Sequence, residues 1–161
     1  MMTTKPTFQR MTAADTRAMC WLLQQPQAAR RARMARMISR LGDGPFYVAL
    51  TLYIWWMDIE GRSGFDLTAM EDYPLEVPLF VLLTHRSKSP RPADALESLS
   101  AFIQPADRFS FPSGHTAAAF VMATLLCVFY PPVMALALGL AVMVGSSRVL
   151  LGVHYPSDIL A

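Results

Sequence analysis

The fold is decided by residues 109–147, which read FSFPSGHTAAAFVMATLLCVFYPPVMALALGLAVMVGSS. These 39 residues contain no Lys, Arg, Asp or Glu, and a bilayer core requires only about 20 apolar residues per helix. Pro131 and Pro132 divide the stretch, and neither suits a helix interior. We therefore predict a helical hairpin whose membrane spans cover residues 111–130 and 133–151. Two buried helices of a soluble bundle are the alternative, which the near absence of polar residues on every face disfavours.

The composition of the 161-residue chain argues against several other classes of protein. Hydrophobic residues make up 53% of the chain and charged residues 16%, against about 25% charged residues in ordinary soluble domains. These proportions disfavour disordered, collagen-like and coiled-coil proteins, and the length allows one domain. The two cysteines, Cys20 and Cys127, lie far apart, so a disulfide scaffold is not expected.

Positive charge is concentrated in residues 1–44, which contain eight Lys or Arg and two Asp. The rest of the chain contains six basic and ten acidic residues. Within the first segment an apolar helical face adjoins a basic one, formed by Met34, Met37, Ile38 and Leu41 and by Arg33, Arg36 and Arg40. We predict a basic amphipathic arm over 1–44 that lies on an anionic membrane surface, followed by a membrane-embedded domain over 45–161. A solvated helix packed on its own domain is the alternative, and no nucleic-acid partner is expected.

Two further stretches lie between the arm and the hairpin. Residues 45–57 are apolar and end in a Trp pair, which is typical of a helix that meets lipid headgroups. Residues 65–83 contain four acids and the prolines Pro74 and Pro78. Since each acid at mid-bilayer costs about 2.5–3.5 kcal/mol, we expect the prolines to interrupt this stretch and at most residues 77–83 to enter the membrane.

Three short polar motifs lie at the ends of apolar segments: Arg91-Pro92, the PSGH at 112–115, and Ser147-Arg148 followed by His154 and Asp158. Each motif alone has a structural explanation, such as helix capping, a snorkelling arginine or a satisfied interfacial histidine. Two histidines, two arginines and an aspartate at the same ends of neighbouring helices indicate a shared ligand. A phosphate explains the set, because a helix N-terminus and forked guanidinium groups both bind phosphoryl oxygens.

The same residues suggest a reaction. Gly114 allows the backbone to approach an anion closely, and Arg91 and Arg148 match the charge that develops on equatorial oxygens during phosphoryl transfer. A carboxylate at Asp158 that holds one nitrogen of His154 leaves the other nitrogen free to attack phosphorus. His115 is the candidate general acid. No Cys/His cluster or Asp-rich loop is present, so neither a metal nor another cofactor is expected.

Residues 84–161 resemble the type 2 phosphatidic acid phosphatase superfamily, because PSGH and SR-x5-H-x3-D match the family pattern at every defined position. The resemblance implies an all-α, integral-membrane helical bundle and a phosphohistidine at His154, with Asp158 as its orienter and His115 as acid. It also implies a phosphate site formed by Arg91, Ser113, Gly114 and Arg148. The SRLGDG at 39–44 is similar to a stretch of small bacterial members.

Two positions depart from the family pattern. The first family motif is K-x6-RP, and Thr84 stands at its lysine position, so Lys88 is the candidate auxiliary cation. Relatives also continue past the position of Ala161 into a closing membrane helix, and we therefore expect a bundle without that helix. The resulting hypothesis is a metal-independent membrane phosphatase that acts on phosphatidate, phosphatidylglycerol phosphate or a polyprenyl diphosphate. The alternatives are a vanadate-dependent haloperoxidase and a truncated, catalytically impaired membrane relative.

The expected partners are a lipid phosphate substrate and membrane lipids. The resemblance implies a bacterial inner-membrane protein whose site faces the periplasm. That orientation requires residues 45–57 to be the only crossing before Arg91, since the basic arm then stays in the cytoplasm. If residues 77–83 belong to a second crossing, the arm and the site share a side, and the positive-inside tendency places both in the cytoplasm.

Overall fold

The structure is a computed structural model that describes residues 6–57, 64–87, 89–95, 101–104 and 109–160. Within these ranges the chain is all-α, as predicted. The helices are α1 (Pro6–Leu23), α2 (Ala28–Ser39), α3 (Gly44–Met57), α4 (Gly64–Ser87), α5 (Pro92–Ala95), α6 (Gly114–Phe129), α7 (Met134–Leu150) and α8 (Pro156–Leu160). Short 3-10 turns over Arg40–Gly42 and Pro131–Val133 join α2 to α3 and α6 to α7.

The central hairpin of α6 and α7 confirms the prediction from the charge-free stretch. The two helices meet through small side chains, because Ala119 and Ala123 on α6 and Ala137 and Ala141 on α7 are all buried. Small residues let membrane helices approach closely, and the gain in van der Waals contact holds them together. Of the described helices, Pro131–Leu150 is the one that is long and apolar enough to cross a bilayer, and α6 is apolar but shorter.

Helices α3 and α4 form a second antiparallel pair before Arg91. The ring of Phe65, at the start of α4, packs edge-on against Phe129 and Tyr130 at the end of α6, with centroids 5.7 and 5.8 Å away. At its other end, α4 lies beside the segment that precedes α6, since the Ser87 hydroxyl donates to the Phe111 carbonyl at 2.9 Å. Helix α4 therefore runs back toward the end of the bundle at which α3 begins.

Helix α4 is continuous from Gly64 to Ser87, so the expectation that Pro74 and Pro78 interrupt it is wrong. Proline is tolerated inside helices of membrane bundles, because neighbouring groups and local adjustment satisfy the carbonyls that lose a partner. Two helices thus separate the basic arm from Arg91. The number of crossings before Arg91, on which the orientation of the site depends, stays a prediction.

Helix α2 packs on the bundle through alanines and leaves two methionines of its apolar face exposed. Ala28, Ala32, Ala35 and Ser39 are buried, and Ala32 and Ala35 pack with Leu151 and Val153 beyond the end of α7. Met34 and Met37 are 61% and 72% exposed, whereas Ile38 and Leu41 pack on the central core. Alanine, rather than methionine, faces the bundle because its small side chain permits a closer approach of the two backbones.

Helix α1 holds the last described helix in place. Met19 is fully buried and packs with Val149 and Tyr155. The Asp15 carboxylate accepts hydrogen bonds from the Ser157 hydroxyl at 2.6 Å and from the Ser157 backbone N–H at 3.2 Å. Residues from the first 44 positions are therefore packed against α7 and α8.

Candidate active site

The start of α6 presents backbone donors at one end of the bundle. Ser113 is the N-cap and is only 2% exposed. Its carbonyl accepts from the Ala117 N–H at 2.9 Å, and its hydroxyl accepts from Thr116 at 2.9 Å. The first N–H groups of a helix have no partner inside the helix, and together with the helix dipole they attract anions. The backbone N–H of Ser113 contacts the Asp158 carbonyl at 3.4 Å, which brings α8 to the same place.

A glycine turn after α7 carries His154 to this end of the bundle. Gly152 has a φ of 78°, a left-handed conformation that glycine adopts without strain. The Val153 N–H then donates back to the Arg148 carbonyl at 3.3 Å, and His154 becomes buried, with 3% exposure. The turn therefore folds the chain over the end of α7, next to the arginine that α7 supplies.

The hydrogen bonds of His154 determine which ring nitrogen carries the proton. Nδ1 lies 2.6 Å from the Ser110 carbonyl oxygen, which can only accept, so Nδ1 donates. Arg91 Nη1 lies 3.5 Å from Nε2, which is then an acceptor with a free electron pair. Burial lowers the pKa of His154, and the charges of Arg91 and Arg148 lower it further against the opposing effect of Asp158. The imidazole is therefore neutral at neutral pH.

Asp158 acts on His154 less directly than the sequence suggested. Its Oδ2 lies 3.8 Å from His154 Nδ1, whereas it accepts hydrogen bonds from the Ser110 hydroxyl and, at 2.8 Å, from the Tyr155 N–H. Neutral His154 has a single N–H, and the nearer Ser110 carbonyl takes it. Asp158 thus fixes Ser110, and Ser110 in turn orients the ring.

Both predicted arginines are buried at this end of the bundle. Arg91 is 4% exposed and donates through Nη1 to the Val153 carbonyl at 2.8 Å. Arg148 is 5% exposed and donates through Nη1 to the Ser39 hydroxyl at 2.7 Å, so α2 helps to hold it. The described part of the chain buries two guanidinium groups and one carboxylate, that of Asp158. This balance suits an oxyanion ligand.

His115 lies at the rim of the site. Its side chain is 32% exposed, and Nε2 donates to Asp43 Oδ1 at 3.0 Å, since a carboxylate can only accept. Burial and the charge of Arg148 lower the pKa of His115 against the opposing effect of Asp43. The structure therefore gathers all seven described candidates at one end of the bundle: Arg91, Ser113, Gly114, His115, Arg148, His154 and Asp158.

Among the residues that hydrogen-bond to these candidates, Ser39, Asp43 and Ser110 contribute side chains that the sequence analysis did not place in the site. The SRLGDG at 39–44 and the serine two residues before PSGH were the features that could have indicated them. Thr84 is buried and donates its hydroxyl to the Phe80 carbonyl at 2.7 Å, so no cation occupies the position of the family lysine. Lys88, the predicted auxiliary cation, lies outside the described residues. Across the described ranges no three His, Cys, Asp or Glu side chains are grouped as metal ligands.

Fold and site together define a helical membrane protein in which an unprotonated histidine nitrogen lies beside two arginines and an anion-binding helix end. A family model adds the specific assignment. The model of the PAP2 superfamily matches residues 77–161, just over half of the chain, and the chain belongs to this superfamily. The resemblance found in the motifs is thereby confirmed.

Two solved structures are similar over nearly the whole chain. The transmembrane PAP2-type phosphatidylglycerolphosphate phosphatase from Bacillus subtilis has a TM-score of 0.73 at 26% identity, and the match covers 97% of this chain and 79% of that one. LpxE of Aquifex aeolicus has a TM-score of 0.73 at 25% identity, with coverage of 89% and 84%. No curated protein sequence matches. The chain is thus an integral-membrane member of a superfamily of phosphate-ester hydrolases.

Proposed function

We propose that the protein is a metal-independent lipid phosphatase that removes phosphate from a lipid phosphate or diphosphate through a phosphohistidine on His154. The proposed substrates are phosphatidate, phosphatidylglycerol phosphate and polyprenyl diphosphates. The observation that carries the proposal is the pair of contacts of His154, whose Nδ1 lies 2.6 Å from the Ser110 carbonyl oxygen and whose Nε2 lies 3.5 Å from Arg91 Nη1. A neutral nitrogen beside a cation that can hold a phosphoryl group is arranged for in-line attack on phosphorus.

In the first step the electron pair of His154 Nε2 forms a bond to phosphorus while the bond from phosphorus to the leaving oxygen breaks. Arg91, Arg148, the Ser113 side chain and the N–H group of Gly114 hold the phosphoryl oxygens and stabilise their charge. His115, as the imidazolium, donates a proton to the leaving oxygen. In the second step water attacks phosphorus, neutral His115 accepts its proton, and the bond from phosphorus to His154 breaks.

The proposal is tested by trapping the phosphoenzyme in His154→Asn. Asparagine keeps a side-chain N–H that can reach the Ser110 carbonyl but has no counterpart of Nε2. We expect radiolabelled phosphatidate in detergent micelles to label the wild type with an acid-labile, base-stable phosphate and to leave this variant unlabelled. His85→Asn is the matched control, because His85 is exposed on α4, and its labelling should equal that of the wild type. Labelling or turnover that survives in His154→Asn contradicts the mechanism.

The same assay addresses the alternatives. The phosphatase hypothesis is preferred over the haloperoxidase hypothesis because the similar Bacillus subtilis protein is a phosphatase. Bromide oxidation that depends on added vanadate would reverse this preference. Equal, negligible turnover of the wild type and His154→Asn on every lipid phosphate offered would favour a catalytically impaired relative.

We also propose that the site faces the cytoplasm and that the outer face of α2 lies along the cytoplasmic leaflet. Ser39 at the end of α2 accepts a hydrogen bond from Arg148, so the arm and the site share one end of the bundle. The outer face of α2 and the turn after it carry five exposed arginines: Arg30, Arg31, Arg33, Arg36 and Arg40. Arginines near the ends of spans stay in the cytoplasm, and each contributes about 1 kcal/mol to attraction by anionic lipids.

Cysteine labelling in intact bacterial cells tests the orientation. Arg33→Cys on α2 and Asp94→Cys on α5, each in a background where Cys20 and Cys127 are replaced by alanine, should both resist a membrane-impermeant maleimide. Both should react after the inner membrane is permeabilised. Reaction of both positions in intact cells would place the site in the periplasm, as the family resemblance implied.

A further inference from the structure

The SRLGDG segment, residues 39–44, joins the basic arm to α3 and touches two candidate site residues. Ser39 Oγ accepts from Arg148 at 2.7 Å, and both side chains are buried. Asp43 Oδ1 accepts from His115 Nε2 at 3.0 Å. These contacts join residues 109 and 72 positions apart in the chain, so they depend on the packing of the arm against α6 and α7.

Gly42 is what allows this segment to come so close. A Cβ at this position would lie 2.7 Å from Val144 Cγ1 and 3.3 Å from both Cβ and Cδ2 of His115. A separation of 2.7 Å is below van der Waals contact, so any larger residue would push the segment away from α7 and the His115 ring. Glycine at position 42 therefore sets the distance between the next residue, Asp43, and the imidazole.

We propose that Asp43 is a positioning residue that prepares His115 to act as the general acid, an inference that rests on the proposed phosphatase function. The Asp43 carboxylate takes the Nε2–H of His115 and so leaves the second N–H of the imidazolium, at Nδ1, for the leaving oxygen. Asp43 does not contact the substrate. The pair is similar to the carboxylate–histidine pairs of catalytic triads, in which the carboxylate orients the imidazole ring and stabilises its charged form.

His115 loses one proton in the first step and regains one in the second. When the ester bond breaks, the Nδ1–H bond of His115 breaks and an O–H bond forms on the leaving alkoxide, while the Nε2–H stays with Asp43. The neutral ring then has a free electron pair on Nδ1. In the second step that pair accepts a proton from the attacking water, which regenerates the imidazolium beside the carboxylate.

The proposal is tested with two substrates that differ in their need for an acid. A nitrophenolate leaves without a proton, whereas the alcohol of a diacylglycerol phosphate must be protonated as it leaves. General acids contribute about 10²- to 10⁴-fold to rate. We therefore expect Asp43→Ala to lower kcat on phosphatidate at least about tenfold, and to change kcat on p-nitrophenyl phosphate less than about twofold. Asp43→Asn, whose amide oxygen can still accept from the ring, should give a smaller loss on phosphatidate.

Asp94→Asn is the matched control, because Asp94 is an exposed carboxylate on α5, the short helix that directly follows Arg91. It should leave both rates unchanged. Equal losses on the two substrates in Asp43→Ala would mean that Asp43 supports the fold only, and unchanged rates on both would mean that His115 does not need it. Either result overturns the proposal. His154→Asn must abolish turnover of both substrates; if it does not, the proposed function itself fails, whatever Asp43 does.

A spectroscopic measurement tests the same pair without turnover. The chain has three histidines, so ring nitrogen signals of protein labelled with ¹⁵N-histidine can be assigned with His115→Gln and His85→Gln. In the wild type, neutral His115 should carry its proton on Nε2. Asp43→Ala should convert the His115 signals to those of mixed tautomers and leave the His154 signals unchanged. Identical His115 signals in the variant and the wild type would overturn the proposal even if the protein were inactive on every substrate tried.

Discussion

Ser110→Ala is the substitution that most directly tests how the site is held. The Ser110 hydroxyl donates to Asp158 Oδ2, and the Ser110 side chain is fully buried, so water cannot replace the lost donor. The backbone carbonyl that orients His154 is unchanged by the substitution. Asp158 keeps its hydrogen bond from the Tyr155 N–H at 2.8 Å. The variant therefore removes one of two described donors to a buried carboxylate and leaves the His154 side chain unchanged.

The size of the effect follows from the charge on the acceptor. Hydrogen bonds to charged groups contribute about 1.5–3 kcal/mol, and the surviving bond from Tyr155 favours a loss of about 2 kcal/mol. For a chain of this length, 1 kcal/mol shifts the unfolding temperature by about 2–4 °C, so Ser110→Ala should lower it by about 4–8 °C. If the whole of this roughly 2 kcal/mol also raises the activation free energy, because His154 is less well oriented, kcat falls by up to about thirtyfold.

The assay combines thermal unfolding in detergent with initial rates on a lipid phosphate. Ser146→Ala is the control, since Ser146 is an exposed serine on α7, and it should change neither quantity. An unfolding temperature and a kcat that both match the wild type in Ser110→Ala would refute the claim that Asp158 orients His154 through Ser110.

Three further predictions concern the same end of the molecule. Burial and the charges of Arg91 and Arg148 lower the pKa of His154 against the opposing charge of Asp158, and the proposed nucleophile must be neutral to attack phosphorus. Activity on p-nitrophenyl phosphate should therefore persist as the pH falls to 6.5 and decline only below it; a decline centred above 6.5 contradicts this. Gly152→Ala places a Cβ at a φ of 78°, which costs about 1–2 kcal/mol, and we expect the unfolding temperature to fall by about 2–8 °C; no change would show that the turn relaxes freely. Vanadate, whose five-coordinate adduct with a histidine resembles the transition state, should inhibit at concentrations far below the substrate KM, and a chelator should leave activity intact. Loss of activity in the chelator with recovery on adding a divalent metal would contradict the metal-independent mechanism.

The parts of the fold that the sequence predicted are those set by local composition. The hairpin follows from a long run without charge and the proline pair at 131 and 132, and α6 and α7 end within a few residues of the predicted limits. The site residues on α6, α7 and α8 were also predictable. PSGH lies at the start of α6, and Ser147 and Arg148 lie at the end of α7. Two antiparallel helices place the start of the first beside the end of the second.

What the sequence did not predict depends on contacts between distant segments. The face of α2 that packs on the bundle is an alanine stripe, which depends on the surface it meets and which the periodicity of the apolar residues did not indicate. Helix α4 passes through two prolines because its neighbours, rather than its own propensity, support it. His154 Nδ1 donates to the Ser110 carbonyl at 2.6 Å rather than to Asp158 Oδ2, which lies 3.8 Å away. The spacing of residues in the sequence cannot distinguish two acceptors that differ by so little in distance.

The contact between Ser39 and Arg148 has a practical consequence for engineering this protein. The region matched by the family model begins at residue 77, yet the hydroxyl that holds Arg148 and the carboxylate beside His115 both come from the first 44 residues. A chimera that joins residues 77–161 to the N-terminal part of another protein would keep every recognisable motif, but different residues would then lie beside Arg148 and His115. Grafts and shortened versions should therefore carry the arm along with the helices whose polar ends it supports.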